Sequence, residues 1–387
     1  MSYRNPHIQN TLFTAIISIL YITGFANVLY AYPCSLMQCI FTGSMYAAGF
    51  VIMYLVSRIE MKIILAYAYL ILTAGIVIMA VNVLMRIFVP GFSSFVRIEL
   101  FMHIALIAGL ARMFYNKEKK DISPRTMIIS FSVVISVFVF ALLLTKPGNG
   151  FMYILIYLTL LCLADIDRRM MIFIVVLFIT VFTALYGFYW ILLIPIAAVI
   201  LFLLKTGLAR IILYGSVHII LGLTFSALWK IIPGNIIIDL KSALIPGSDI
   251  YGYGWRTVQS VNLIQAGGIT GTRAIDESYR NMLAGTVLGH VYGFAGIVFI
   301  TVFFLVFYFS INKCLPQIKN RFSQNVLFTL STTVIVMVLL HLSSAAGIFP
   351  FIDVILPFYS HSAVSIVFIS VIAGVMRSIM VSRYEYY

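Results

Sequence analysis

Residues 61–86 read Met-Lys-Ile-Ile-Leu-Ala-Tyr-Ala-Tyr-Leu-Ile-Leu-Thr-Ala-Gly-Ile-Val-Ile-Met-Ala-Val-Asn-Val-Leu-Met-Arg. Between Lys62 and Arg86 stand 23 residues without a charge. A helix needs about 20 such residues to cross the hydrocarbon core of a bilayer. The pattern recurs along the chain, with charge clusters punctuating apolar runs. Candidate helices fall at about 11–31, 35–57, 61–84, 98–115, 126–145, 151–164, 170–187, 189–204, 211–231, 282–311, 325–345 and 362–380. The run at 151–164 is short for a full crossing and the join from Gly187 to Trp190 is tight, so the reading is an all-α polytopic membrane protein of ten to twelve spans.

Composition excludes the other classes. Of 387 residues, 63% are apolar and 10% charged, whereas soluble domains run near 45–50% and about 25%. A net charge of +13 raises nucleic acid as a partner, but the charges sit between greasy runs instead of clustering on a soluble face, so no nucleic acid is expected. The four cysteines show no CxxC spacing and read as small hydrophobes. The N-terminal Met1–Asn10 stretch leads into an apolar run without a small-residue cleavage site, which reads as an uncleaved first helix.

Orientation follows from the basic residues. With both termini placed inside, 17 of the 25 Lys and Arg fall on inner loops and 8 on outer ones, so both termini should be cytoplasmic. One connection is long: about 49 residues, 233–281, on the outer side. Its Gly247, Gly252, Gly254, Gly267, Gly268 and Gly271 should break up any long helix, while Ile236, Leu244, Tyr251, Trp255, Val261 and Leu263 are residues that disordered tails lack. It should fold against the outer membrane surface.

Four outward breaks carry groups capable of chemistry. In the first, Arg86 to Leu100, Pro90 and Gly91 interrupt the helix and leave Arg86 and Arg97 near headgroup depth, to grip a phosphate or to act as snorkelling anchors. Glu99 stands at the mouth of the next span, where a helix N-terminus favours a carboxylate. The second, Lys146-Pro147-Gly148-Asn149-Gly150, leaves a cation and an amide at the interface or is a plain turn. The third lies in the long loop, where Arg256, Gln259, Arg273, Asp276, Glu277 and Arg280 precede a span. Carboxylates beside guanidiniums there suit a base with a phosphate clamp, and equally a solvated salt-bridge cluster. The fourth, Gly347 to Ser362, holds two prolines, Asp353, Ser360 and His361, and suggests a re-entrant turn facing a cavity, with His361 either structural or a proton carrier. There is no P-loop, HExxH, GxSxG or dinucleotide fingerprint.

Taken in order, these breaks resemble those of the SEDS family (shape, elongation, division and sporulation; FtsW, RodA and SpoVE), polytopic peptidoglycan polymerases. The family's Arg, Gly turn and Ser-Glu-Leu are similar to Arg86, Gly91 and Glu99-Leu100, and its Gln-Pro-Asp-x-Gly to Lys146-Pro147-Gly148-Asn149-Gly150. Its Gly-x-Gly-Tyr-Gln-x-x-Gln-Ser and Gly-Gly-x-x-Gly resemble Gly252 to Ser260 and Gly267 to Gly271. Its Gly-Glu-Glu-x-Gly-Phe resembles Gly289-His290-Val291-Tyr292-Gly293-Phe294, and its Leu-Pro-Phe-x-Ser-Tyr-Gly-Gly-Ser resembles Leu356 to Ser365. Departures accompany the matches. The slot of the family's catalytic Asp falls on Met282, its Lys three residues after the Glu falls on Met102, and both Glu of Gly-Glu-Glu are His290 and Val291. The family usually has ten spans, so the helix pair near 170–204 reads as an insertion within a single membrane domain, 1–387.

The resemblance implies a glycosyltransferase of the bacterial plasma membrane that joins lipid II, an undecaprenyl-pyrophosphate-linked disaccharide peptide, into glycan strands for division, cell shape or sporulation. Asp276 or Glu277 is the expected base. Arg86, Arg97, Arg256 and Arg273 are the expected clamp, with Glu99 positioning one of them and Gln259, Ser360 and His361 as further substrate contacts. No cofactor is implied beyond a divalent cation bridging the pyrophosphate, for which no ligand spacing marks a site. Membrane lipids and a class B penicillin-binding transpeptidase are the expected partners. A non-catalytic scaffold or regulator is the alternative, motivated by the missing Asp and Lys. A lipid II flippase is a further one, set against mid-span positions that are almost uncharged.

Overall fold

A computed structural model describes residues 6–31, 35–89, 97–115, 123–144, 146–164, 166, 168–184, 188–231, 254–272, 283–349, 354–360 and 362–382. Among them the chain is helical with no strand. The helices are α1 (Pro6–Ala31), α2 (Leu36–Val56), α3 (Met61–Phe88), α4 (Ile98–Met113), α5 (Pro124–Leu143), α6 (Pro147–Leu163), α7 (Arg168–Ala184), α8 (Leu193–Leu203), α9 (Leu208–Ile231), α10 (Trp255–Gly267), α11 (Ala284–Val291), α12 (Gly293–Asn312), α13 (Arg321–Ala345) and α14 (Ala363–Val381). Eight of these are long and apolar enough to cross a membrane, and three more are shorter apolar helices. The chain is a multi-pass membrane protein.

Helix starts follow local chemistry. Ser35 and Gln38 form a reciprocal capping box at α2, with Gln38 Oε1 accepting the Ser35 N–H at 3.0 Å. Ser123 caps α5 ahead of Pro124, and Asn320 Oδ1 accepts the Phe322 N–H at 2.9 Å at α13. Burial then sorts the helices. Within their apolar windows, α13 and α14 are 67% and 72% buried, whereas α3 and α9 are only 17% buried. The exposed faces of α3 and α9 carry Leu70, Val77, Ile212 and Ile220, a surface that only a hydrocarbon solvent tolerates. At the centre, α13 packs on α4, α6, α12 and α14.

Three expected boundaries differ. The 146–150 break is the first turn of α6: Pro147 occupies a position whose N–H would have no partner, and Asn149 is buried. The long loop contains the 13-residue α10, because Gly254 and Gly268 bound that helix instead of interrupting it. The run at 282–311 is two helices, broken at Tyr292 and Gly293, where Gly293 has φ +66°.

Candidate functional site

Of the expected site residues, the described ones, Arg86, Arg97, Glu99, Arg256, Gln259 and Ser360, fall toward one end of the bundle, where α4, α6, α10, α11 and α14 begin and α1, α3 and α13 end. Its scaffold is a docking of two of the motifs on each other. After α10 the chain turns through Gly268 to Thr272 and lies against the α11–α12 break. Thr272 N–H donates to His290 O at 2.9 Å, and Phe294 N–H and Ala295 N–H donate to Gly268 O at 2.9 Å and Ile269 O at 3.1 Å. The loop carbonyls thus cap the N-terminus of α12. Two glycines make the approach possible. Gly271 has φ +88° and a Cβ there would collide with Val291 O; a Cβ on Gly293 would collide with Ile269 O. His290 is spent on the same joint, with Nδ1 2.9 Å from Leu263 O and Nε2 2.9 Å from Thr272 Oγ1.

A second layer of polar bonds ties α10, α11 and α13 together in the interior. The Ser260 hydroxyl, fully buried, donates to Ala345 O at 2.7 Å and is bonded to Thr286 Oγ1. His341, 3% exposed, accepts the Gly285 N–H on Nε2 at 2.9 Å and bonds Val354 O through Nδ1 at 2.7 Å. Because Gly285 N–H only donates and Val354 O only accepts, the ring is fixed as the tautomer protonated on Nδ1. Arg97 is exposed at the start of α4.

The segment 354–360 enters this end as a buried turn. Val354, Ile355, Leu356, Phe358 and Tyr359 are buried. Phe358 has φ +64°, a strained value for a non-glycine residue, and is held there by the Tyr46 hydroxyl, which donates to Phe358 O at 2.8 Å and to Ser360 O at 3.3 Å. The Tyr359 hydroxyl donates to Thr23 Oγ1 at 2.9 Å. Burial pushes this phenol up from its ordinary value, so it remains a neutral donor.

The expected residues fare differently. Glu99 is 3% exposed in the first turn of α4, and its backbone carbonyl accepts the Tyr153 hydroxyl at 2.6 Å. Arg86 is half-buried and donates to Leu144 O, at the C-terminus of α5, at 2.7 Å, which joins α3 to the α5–α6 pair. Arg256 is exposed and Gln259 half-buried on α10. The Ser360 hydroxyl accepts the Ser362 N–H at 3.1 Å and helps start α14. Arg273, Asp276, Glu277 and His361 lie outside the described residues. Met102, in the slot of the family's Lys, is buried. No group of three or more His, Cys, Asp or Glu suited to a metal occurs among the described residues.

Sequence reading missed His341, Thr286 and His103. His103 is fully buried, with Nδ1 2.9 Å from Leu100 O and its ring 4.8 Å from that of Tyr153. The available signal was an ionisable residue inside an apolar run, which by itself marks a position of interest in a membrane span.

No family model matches the sequence, and no curated protein does. Solved structures do. A chain from a peptidoglycan synthase complex studied for its coordination of polymerization and crosslinking superposes with a TM-score of 0.67 at 14% identity, covering 97% of this chain and 98% of that one. The rod shape determining protein RodA of Thermus thermophilus superposes with a TM-score of 0.60 at 11% identity, covering 97% of each chain. A point mutant of the same RodA gives 0.61 at 12%, over 97% and 98%. Over nearly its whole length, then, this chain has the fold of RodA, the SEDS fold.

Proposed function

We propose that this chain is a membrane peptidoglycan glycosyltransferase that polymerises lipid II into glycan strands on the outer face of the bacterial plasma membrane, with both termini cytoplasmic. One observation supports the reading: a RodA-type fold across 97% of the chain, with the described parts of the family-like breaks toward one end of the bundle. The chemistry asks for two things there. An acceptor sugar hydroxyl must lose a proton as it attacks the donor's anomeric carbon, which calls for a carboxylate, Asp276 or Glu277. The pyrophosphate leaving group needs cations, for which Arg97, Arg256 and Arg273 are the candidates. Arg86, which donates to Leu144 O, is a further clamp candidate. A class B penicillin-binding transpeptidase is the proposed partner, supported by the synthase complex among the structural neighbours.

The test is lipid II polymerisation by the purified protein with its cognate transpeptidase, comparing wild type with the Asp276→Ala/Glu277→Ala double variant. Strands from wild type and at least a hundredfold loss in the variant, about 3 kcal/mol of barrier, support the reading. Equal rates exclude these carboxylates as the base.

A second reading, a non-catalytic scaffold of cell-wall assembly, is favoured by a specific feature. The two family carboxylates are replaced by His290, whose ring is consumed in holding the α10–α11 joint, and by buried Val291. Failure of folded, partnered protein to form strands, with cell-wall assembly still dependent on the chain in cells, would select it.

A further inference from the structure

The buried contacts of His341 lead beyond the family-like motifs. We infer that His341 is a positioning residue that holds two separate pieces of the candidate site in register: the start of α11 and the 354–360 turn, which carries Ser360. The inference deepens the glycosyltransferase reading and rests on it.

The geometry gives the ring one task on each side. Gly285 is the second residue of α11, so its N–H has no partner inside that helix and is satisfied by His341 Nε2 at 2.9 Å. Val354 O belongs to a buried turn outside any helix and is satisfied by the Nδ1 proton at 2.7 Å. A single ring at the end of α13, the helix packed against α4, α6, α12 and α14, therefore links two otherwise independent chain segments to the rigid centre. The fit is close: a Cβ on Gly285 would lie 3.0 Å from His341 Cδ2. Ser360 cannot keep a fixed place relative to the start of α11 if either segment shifts. A misplacement of about 1 Å is enough to cost a reaction about a hundredfold. His341 itself, buried behind both segments, is not assigned any contact with substrate.

The two bonds can be separated by substitution. In His341→Gln an amide oxygen keeps an acceptor near the Nε2 position, in His341→Asn an amide N–H keeps a donor near the Nδ1 position, and His341→Phe removes both. Each is assayed in nanodiscs, with the transpeptidase, for lipid II polymerisation and for amide exchange of peptides covering 283–291 and 354–360. His341→Phe is expected to lose about 10- to 100-fold in kcat with KM within about twofold, and His341→Gln to recover most of that loss. Exchange at 283–291 should rise in the Phe and Asn variants and stay near wild type in Gln; exchange at 354–360 should rise in Phe and stay low in Asn. A variant that loses KM instead of kcat, or exchange equal in all four proteins, overturns the inference. If wild type makes no strands, the glycosyltransferase reading fails, and the exchange pattern still decides whether His341 links the two segments.

Discussion

The two ends of the bundle are held together by different physics. At the Glu99 end, buried groups bond across several helices: Ser260 reaches Ala345 O, His341 reaches Gly285 and Val354, Tyr153 reaches Glu99 O, and loop carbonyls at Gly268 and Ile269 cap α12. At the opposite end, Arg377 donates to the Ser57 hydroxyl at 2.8 Å and sits over the Tyr54 ring, which Arg58 also covers, while Lys62 pairs with Glu60 in solvent. The first arrangement leaves an unsatisfied buried group when any partner is removed. The second also has buried members, Ser57 and Ser378, but its charged side chains reach water. That asymmetry is what a reaction site needs, because rigid placement comes from bonds that water cannot replace.

The largest effect should come from breaking the glycine docking. Gly271→Val puts a branched side chain at φ +88° and against Val291 O, which should cost about 3 kcal/mol or more and release the α11–α12 joint. Gly215→Ala is the control, since nothing lies within 4 Å of a Cβ there. Thermal unfolding in detergent should separate the two clearly; similar melting temperatures would show that the loop is not docked as described.

Next in size is Ser260→Ala. Ala345 O lies at the end of α13, beyond reach of an intrahelical donor, so losing the Ser260 hydroxyl strands a buried carbonyl and should destabilise by about 1–3 kcal/mol. Ser260→Thr, which keeps the hydroxyl, should retain more stability than Ala in the same melt if the bond outweighs the added methyl.

The smallest effect is expected at the opposite end. Arg377→Ala removes a half-exposed hydrogen bond and a cation–π contact 5.6 Å from the ring centroid, about 1 kcal/mol or less, and the difference should shrink as salt rises. A loss as large as that of Ser260→Ala would erase the distinction between the two ends.

How far each region was legible follows the same divide. The spans could be read because hydropathy is a property of each residue and a bilayer imposes one length on every run. Arg86, Glu99 and the Gly267–Gly271 stretch were visible as breaks, since charges and glycines interrupt an apolar pattern wherever they fall. The division of 282–311 at Gly293 was not visible, because its backbone turn is imposed by residues 268–272 docking on it. The burial of Asn149 was likewise not visible, because it depends on how the first turn of α6 packs.

The amino-acid order alone determined that this is a helical membrane protein, roughly where it crosses, and which segments interrupt the crossings. Only the tertiary structure decided that His341, concealed in an apolar run, joins Gly285 to Val354, that His290 serves a joint, and that Arg86 reaches the end of α5. Transfer from water to lipid is summed residue by residue along the chain, whereas a buried hydrogen bond exists only when two distant segments arrive at the same place.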